Sequence, residues 1–181
     1  VSKKAVTINV TGASKTYGNG DPTFTGTVIG RINENDLGTV SFVRTNTDEA
    51  ADTYTGVITA NYTPNDNYAV TVNNADFTIN TRPVTVTIAA HTDALDYNGK
   101  EQKVEGYEFE SSDNLYTEDY VGFSGEAVAK GTDAGSYKMG LAKEQFSNQN
   151  DNFAVTFVVN ADNLIIDPID ATVNIVGNNS K

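Results

Sequence analysis

The sequence predicts an all-β or mostly β chain, arranged as two tandem elongated β-grasp-like domains in a rod. Three observations lead there: apolar residues alternate with period two, helical periodicity is scarce, and short patterns recur in the same order along the chain. Ig-like β-sandwiches are the alternative topology.

The opening strand, Val6-Thr7-Ile8-Asn9-Val10, returns as Val84-Thr85-Val86-Thr87-Ile88 and again as Ala171-Thr172-Val173-Asn174-Ile175. Tyr17-Gly18-Asn19-Gly20 pairs with Tyr97-Asn98-Gly99-Lys100, and Tyr54 pairs with Tyr137. The longest match sets Asn65-Asp66-Asn67-Tyr68-Ala69-Val70 against Asn150-Asp151-Asn152-Phe153-Ala154-Val155; the closing strands Phe77–Asn80 and Leu164–Asp167 complete the series. The offset between copies climbs from 78 to 87 residues, and it climbs between strands, as loop insertions on one scaffold require. The copies are therefore a first β repeat over 5–82, a second with longer loops over 83–169, and the opening strand of a truncated third over 170–181. Pro83 and Pro168 fall between repeats, where a residue without an N–H ends one sheet and holds the connection extended; they are the inter-repeat linker positions.

Within the first copy the pattern predicts further strands at Phe24–Ile29, Thr39–Arg44, Thr53–Ala60 and Tyr68–Val72. In the second it predicts them at Gln102–Phe109, Val121–Ala129, Ser136–Leu141 and Phe153–Val159. Val6, Ile8 and Val10 share one face, as do Val84, Val86 and Ile88, leaving a wet threonine face opposite. Asn19-Gly20 and Asn98-Gly99 are tight-turn signals. Thr117–Tyr120 and Ala142–Phe146 are each expected to make about a turn or two of helix, the first with Thr117 as N-cap. A short helix on a mixed sheet makes a β-grasp; no helix makes a sandwich.

Composition removes whole classes of function. A net charge of −12 without a basic cluster repels phosphate backbones and anionic lipid surfaces, so no nucleic-acid partner and no membrane insertion are expected. The absence of cysteine excludes disulfides and thiolate chemistry, and the single histidine, His91, excludes triads and paired-histidine metal sites. His91 reads as a solvated loop residue without a partner. Paired carboxylates need a cleft that repeats of this size do not build, so no catalytic residues are expected and the chain is read as a non-enzyme. Calcium is the only candidate cofactor: Asn33-Glu34-Asn35-Asp36 and Ser112-Asp113-Asn114 gather hard oxygen ligands, with Asp36 and Asp113 as candidate ligands, although neither fits an EF-hand loop and Asx turns explain both. Lys3 or Lys4 with Asn80 invite comparison with a lysine–asparagine crosslink, a pattern that Pro83 breaks in the second copy. Exposed aromatics in the long loops of the second copy, Tyr107, Tyr116 and Tyr120, are the candidate binding residues, since tyrosine anchors many interfaces.

The first copy, with its Val-Thr-Ile strand, Lys15-Thr16-Tyr17-Gly18, Asp21-Pro22, Tyr54 and Asn67-Tyr68, resembles the MBG-type repeats of bacterial surface adhesins. The second, with Gly131-Thr132-Asp133-Ala134-Gly135-Ser136-Tyr137, looks like a longer variant of secreted bacterial proteins; it lacks the Asp-Pro after its tyrosine turn. The resemblance implies an extracellular location at the bacterial cell surface and a monomeric stalk that projects a distal binding region. Its partners would be neighbouring repeats of the same chain. The alternative is that the repeats themselves bind host glycan, mucin or surface protein through loops of the second repeat.

Overall fold

The computed structural model describes residues 2–177. Its backbone divides into two compact units: Val1–Pro83 with Asn150–Ala154, and Val84–Gln149 with Val155–Lys181.

In the first unit the strands are β1 (Lys4–Val10), β2 (Ala13–Thr16), β3 (Gly26–Ile29), β4 (Ser41–Arg44), β5 (Asp52–Asn61), β6 (Tyr68–Asn73) and β7 (Ala75–Asn80). They form two sheets, ordered β3-β1-β6 and β2-β7-β5-β4. Only Thr11 and Gly12 separate β1 from β2, and only Asn74 separates β6 from β7, so each of these chain segments starts in one sheet and finishes in the other. Both crossing segments run the same way: β1 pairs β6 in parallel with Lys4 opposite Tyr68, and β2 pairs β7 in parallel with Ala13 opposite Phe77.

The period-two pattern aims Val6 and Ile8 inward, where they pack with Leu37, Ala60 and Tyr68. Ile58, Phe77 and Ile79 make a second cluster, and Val10 packs against both. Because Ala60 and Ile58 both lie on β5, that long strand ties the two clusters together. It does so with a bulge between Tyr54 and Ile58, where Gly56 takes φ +66° and its N–H donates to Asp76 Oδ1 at 2.8 Å.

The second unit's strands are β8 (Arg82–Ala90), β9 (Asp93–Asp96), β10 (Gln102–Glu105), β11 (Tyr107–Ser111), β12 (Val121–Phe123), β13 (Val128–Gly131), β14 (Gly135–Lys138), β15 (Phe146–Asn148), β16 (Phe153–Asn160) and β17 (Asn163–Asp167). β8 and β16 begin among the residues of the first unit. The sheet orders β11-β8-β16 and β14-β17-β9 repeat the core of the first unit, and two-stranded pairs β10-β13 and β12-β15 are added to them. Val84, Val86 and Ile88 are buried, as the alternation predicts.

The chain is thus all-β, but several expectations are corrected. The helical turns at 117–120 and 142–146 are short 3-10 turns, Glu118–Tyr120 and Lys143–Gln145, and a third lies at Glu34–Leu37. No α-helix forms among the described residues, so the helix of a β-grasp is not there. The parallel pairs also depart from an all-antiparallel sandwich. The single strand expected over 102–109 is broken at Gly106, which takes φ +89° between β10 and β11, and that over 121–129 splits into β12 and β13, which pair with different partners. In the first copy the turn pivots at Gly18 rather than Asn19-Gly20: Asn19 N–H donates to Thr16 O at 3.0 Å with Gly18 at φ +82°, a type II geometry. In the second, Gly99 alone takes positive φ and Asn98 closes an Asx turn on Lys100 N–H at 2.9 Å. The segment 170–177 makes no strand, with Val173 and Ile175 exposed; 178–181, the rest of the expected third opening strand, lie outside the described residues. No helix among the described residues is long and apolar enough to cross a membrane.

Tyr54 and Tyr137 close the same corner in each repeat: Tyr54 Oη donates to Ala50 O and Tyr137 Oη to Asp133 O, both at 2.9 Å. A Cβ at Gly131 would stand 2.1 Å from the Tyr137 ring, so that ring occupies the space a larger residue would need. Tyr137→Phe is expected to cost about 1 kcal/mol, the worth of one hydrogen bond, whereas Gly131→Val costs at least about 2–3 kcal/mol through overpacking. Urea unfolding of the two variants beside the parent gives the comparison; equal losses would contradict it.

Candidate functional site

A groove of the first unit, about 720 Å³, has an apolar wall of Pro22, Phe24, Val40 and Phe42 and a charged end at Asp21, Arg44 and Glu49. The charged end is built from four distant parts of the chain. Lys15 lies on β2 opposite Ile79, with its side chain 4% exposed; Arg44 ends β4 and is 8% exposed. Asp21 follows the Tyr17-Gly18 turn, and Glu49 lies in the loop before β5.

Lys15 Nζ donates to Asp21 Oδ1 at 2.8 Å and to Glu49 Oε2; Arg44 Nε reaches Asp21 Oδ2 at 2.9 Å and its terminal nitrogens reach Glu49 Oε1 and, at 2.8 Å, Asp48 O. Both cations stand over the Phe77 ring, Arg44 at 4.8 Å and Lys15 at 5.9 Å from its centroid. Two cations and two carboxylates therefore close a box above the buried aromatic, with the ring face adding attraction for both cations.

Electrostatics follow from that closure. Burial alone would lower the Lys15 pKa, but the hydrogen bonds and charges of Asp21 and Glu49 outweigh it and hold it above the ordinary lysine value. Arg44 is likewise raised against its burial, by Glu49 and Asp21. Glu49 is lowered, first by the hydrogen bond from Lys15 and then by that from Arg44. A lysine held charged in this way is a structural cation rather than a nucleophile, because attack needs the free amine. The neighbouring acceptor Asn46 Oδ1 is buried with no hydrogen-bond partner, while its Nδ2 donates to Asp48 Oδ2 at 3.1 Å. The groove thus sets an apolar wall beside charges already paired with one another, and its charged end offers no poised base or nucleophile.

The residues singled out from sequence have other surroundings. Tyr116 is 1% exposed, not a surface contact; its hydroxyl reaches Tyr120 O and Asn148 Oδ1, each at 3.1 Å, and its ring meets Tyr120 at 5.6 Å. Tyr107 is half-buried, edge-on to Phe123 and Phe146 at 5.5 Å each, and burial raises its pKa ahead of the Glu118 charge. Tyr116 is thus part of the inside of the long insertion of the second copy, while Tyr107, at the start of β11, and Tyr120 are half-buried. Asp36 Oδ2 accepts from Tyr68 Oη at 2.5 Å and Asn33 N–H at 2.9 Å, and the Tyr68 bond leads the causes that lower its pKa. Asp113 Oδ1 accepts from Leu115 N–H at 3.0 Å, an Asx turn. Among the described residues no group of three or more His, Cys, Asp or Glu is placed to hold a metal.

Pro83 is the second residue of β8 and Pro168 follows β17. His91, expected without a partner, has two: Nδ1 lies 2.7 Å from Glu105 O, which makes it the donor, and Nε2 lies 3.2 Å from Glu108 Oε1. Asn80 Nδ2 donates to Lys15 O at 3.3 Å, and Lys3 Nζ reaches Asp66 Oδ1 at 3.8 Å.

Lys15→Met keeps the side-chain length and removes the charge, and is expected to cost about 1.5–3 kcal/mol at pH 7, the range for hydrogen bonds to charged partners. The lowered Glu49 contributes stability above the ordinary glutamate pKa of about 4.3, and that contribution is lost as pH falls through its lower folded-state value. The raised Lys15 contributes at pH values below about 10.4 and loses its contribution as pH rises beyond its folded-state value. The gap between parent and variant should therefore close below about pH 4 in urea titrations; a gap of equal size at pH 2.5 would refute the ionic account. Millimolar calcium is expected to leave the melting midpoint of the parent unchanged, and an upward shift on titration would restore Asp36 and Asp113 as ligands.

Residues 6–78 match the family model described as MBG domain (YGX type). No curated protein and no solved structure matches the chain. MBG domains are repeat domains of surface proteins and are not an enzyme family. With Tyr17-Gly18-Asn19 at its turn and all seven of its strands in place, the first repeat is similar over these residues to MBG-type domains.

Proposed function

We propose that both repeats are stalk modules of a bacterial surface adhesin, holding a distal binding region away from the cell. The observation that carries this reading is the use to which the polar side chains are put. Lys15, Asp21, Arg44 and Glu49 satisfy one another, Asp36 holds Tyr68, and Tyr54 and Tyr137 each close a corner in matched positions. The groups that could recognise a ligand are spent on keeping thin domains rigid. A net charge of −12 keeps such an array soluble and dispersed.

A second reading is favoured by one feature, the groove lined by Pro22, Phe24, Phe42 and Asn46. It would put ligand binding on the first repeat rather than on the second repeat's tyrosines, of which Tyr116 is buried. Glycan-array and mucin-binding measurements on the whole chain separate the two. The stalk reading expects no saturable binding; saturable binding that Asn46→Ala weakens tenfold or more would replace it with the groove.

A further inference from the structure

Each repeat finishes in the same constellation. Tyr17 N–H donates to Asn80 O at 2.9 Å in the first, and Tyr97 N–H to Asp167 O at 2.8 Å in the second. Tyr54 stands opposite Phe77 and Tyr137 opposite Leu164 in the sheet registers. These matches equate Ala51 with Ala134, Arg82 with Ile169 and Val84 with Ala171.

In the first unit the constellation is occupied. Its residues 150–154 form a turn in which Asn150 Oδ1 accepts from Asn152 N–H at 3.1 Å and Phe153 N–H donates to Asn150 O at 3.1 Å. Asn152 Oδ1 accepts the Ala51 N–H at 2.7 Å, Asn152 O accepts the Arg82 N–H at 2.9 Å, and Phe153 meets Tyr17 edge-on at 5.3 Å. Two backbone donors and one ring thus read an Asn-x-Asn-aromatic turn. In the second unit the corresponding residues Tyr97, Asp133, Ala134, Pro168, Ile169 and Ala171 line an open, mostly apolar pocket of about 470 Å³. Ile169, at the place of Arg82, is 59% exposed.

We propose that the pocket of Tyr97, Ala134 and Ile169 is a seat for the Asn-x-Asn-aromatic turn of another repeat of this kind. The chain carries such a turn a second time, at Asn65–Tyr68: Asn65 Oδ1 accepts from Asn67 N–H at 3.0 Å and Tyr68 N–H donates to Asn65 O at 2.9 Å. The Asn67 carbonyl accepts Lys4 N–H at 2.8 Å, the bond that Asn152 makes with Arg82. The proposal deepens the stalk reading and rests on it for the source of the occupant, a neighbouring repeat. It adds a rule of succession: a repeat is followed by one whose turn carries asparagine before an aromatic.

The chain has no cysteine, so introduced thiols are unique. Asp66→Cys with Ala134→Cys in one chain places one thiol on the turn, beside the asparagine that is read, and one in the seat, and a second copy then supplies the occupant. With a short bismaleimide at high protein concentration, links between positions 66 and 134 of different molecules are expected, at least tenfold more abundant than 47–134 links in a Thr47→Cys/Ala134→Cys variant. Ala51→Cys with Asp151→Cys is the reference and should close within one molecule. Closure of the reference without 66–134 links overturns the seat, as does failure of the reference to close. Saturable glycan binding by the unmodified chain would instead overturn the stalk reading and leave the cross-linking result standing.

Discussion

The register between β5 and β7, set where Tyr54 faces Phe77, is the contact on which the first repeat depends. β7 lies inside its sheet, pairing with β2 on one side and β5 on the other, so its side chains meet the core while its backbone is satisfied twice. Phe77 is fully buried, supports both cations of the charge box and packs edge-on against Phe24 at 5.6 Å. A one-residue slip would turn Phe77 and Ile79 outward and leave Lys15 and Arg44 without their ring. The second repeat keeps the register and changes the chemistry. By the β17–β9 pairing, Leu95 opposes Ile166 where Lys15 opposes Ile79, so an apolar contact stands in the place of a buried cation. Buried ion pairs and apolar isosteres often contribute comparable stability, which explains how one frame carries both.

The strands easiest to read from the amino-acid order are those with one dry face. β1, β6, β7, β8, β16 and β17 all show alternation, and their tandem recurrence supplies register as well as identity. β2, Ala-Ser-Lys-Thr, and β9, Asp-Ala-Leu-Asp, are edge strands with one partner each; they are held by continuation from β1 and β8 and need little apolar pattern of their own. β15 was hidden because it exists to pair with β12 in an insertion whose core, Tyr116, Phe123 and Phe146, is assembled from three separate segments. Gly18 was hidden behind the more familiar Asn-Gly beside it.

The charge box was not legible, because Lys15 and Glu49 are 34 residues apart and nothing local joins them. One signal was present: aligning the tyrosine turns sets Lys15 against Leu95, a charged residue on an inward face of one copy only. Tyr116 of the second copy misled for the opposite reason. Sequence reports that a residue sits in an insertion, but an insertion long enough to fold has an inside, and Tyr116 is in it.

The two parallel pairings of the first repeat carry a kinetic consequence. Lys4 pairs with Tyr68 and Ala13 with Phe77, so the first and last segments of the repeat must meet before either sheet can close. Loop closure over some sixty residues is slow compared with hairpin formation, and it cannot begin until nearly the whole repeat has been synthesised. Such a chain stays threadable while it is being made or moved, then commits late and all at once. A fold that ends where it began is, in this sense, one that waits.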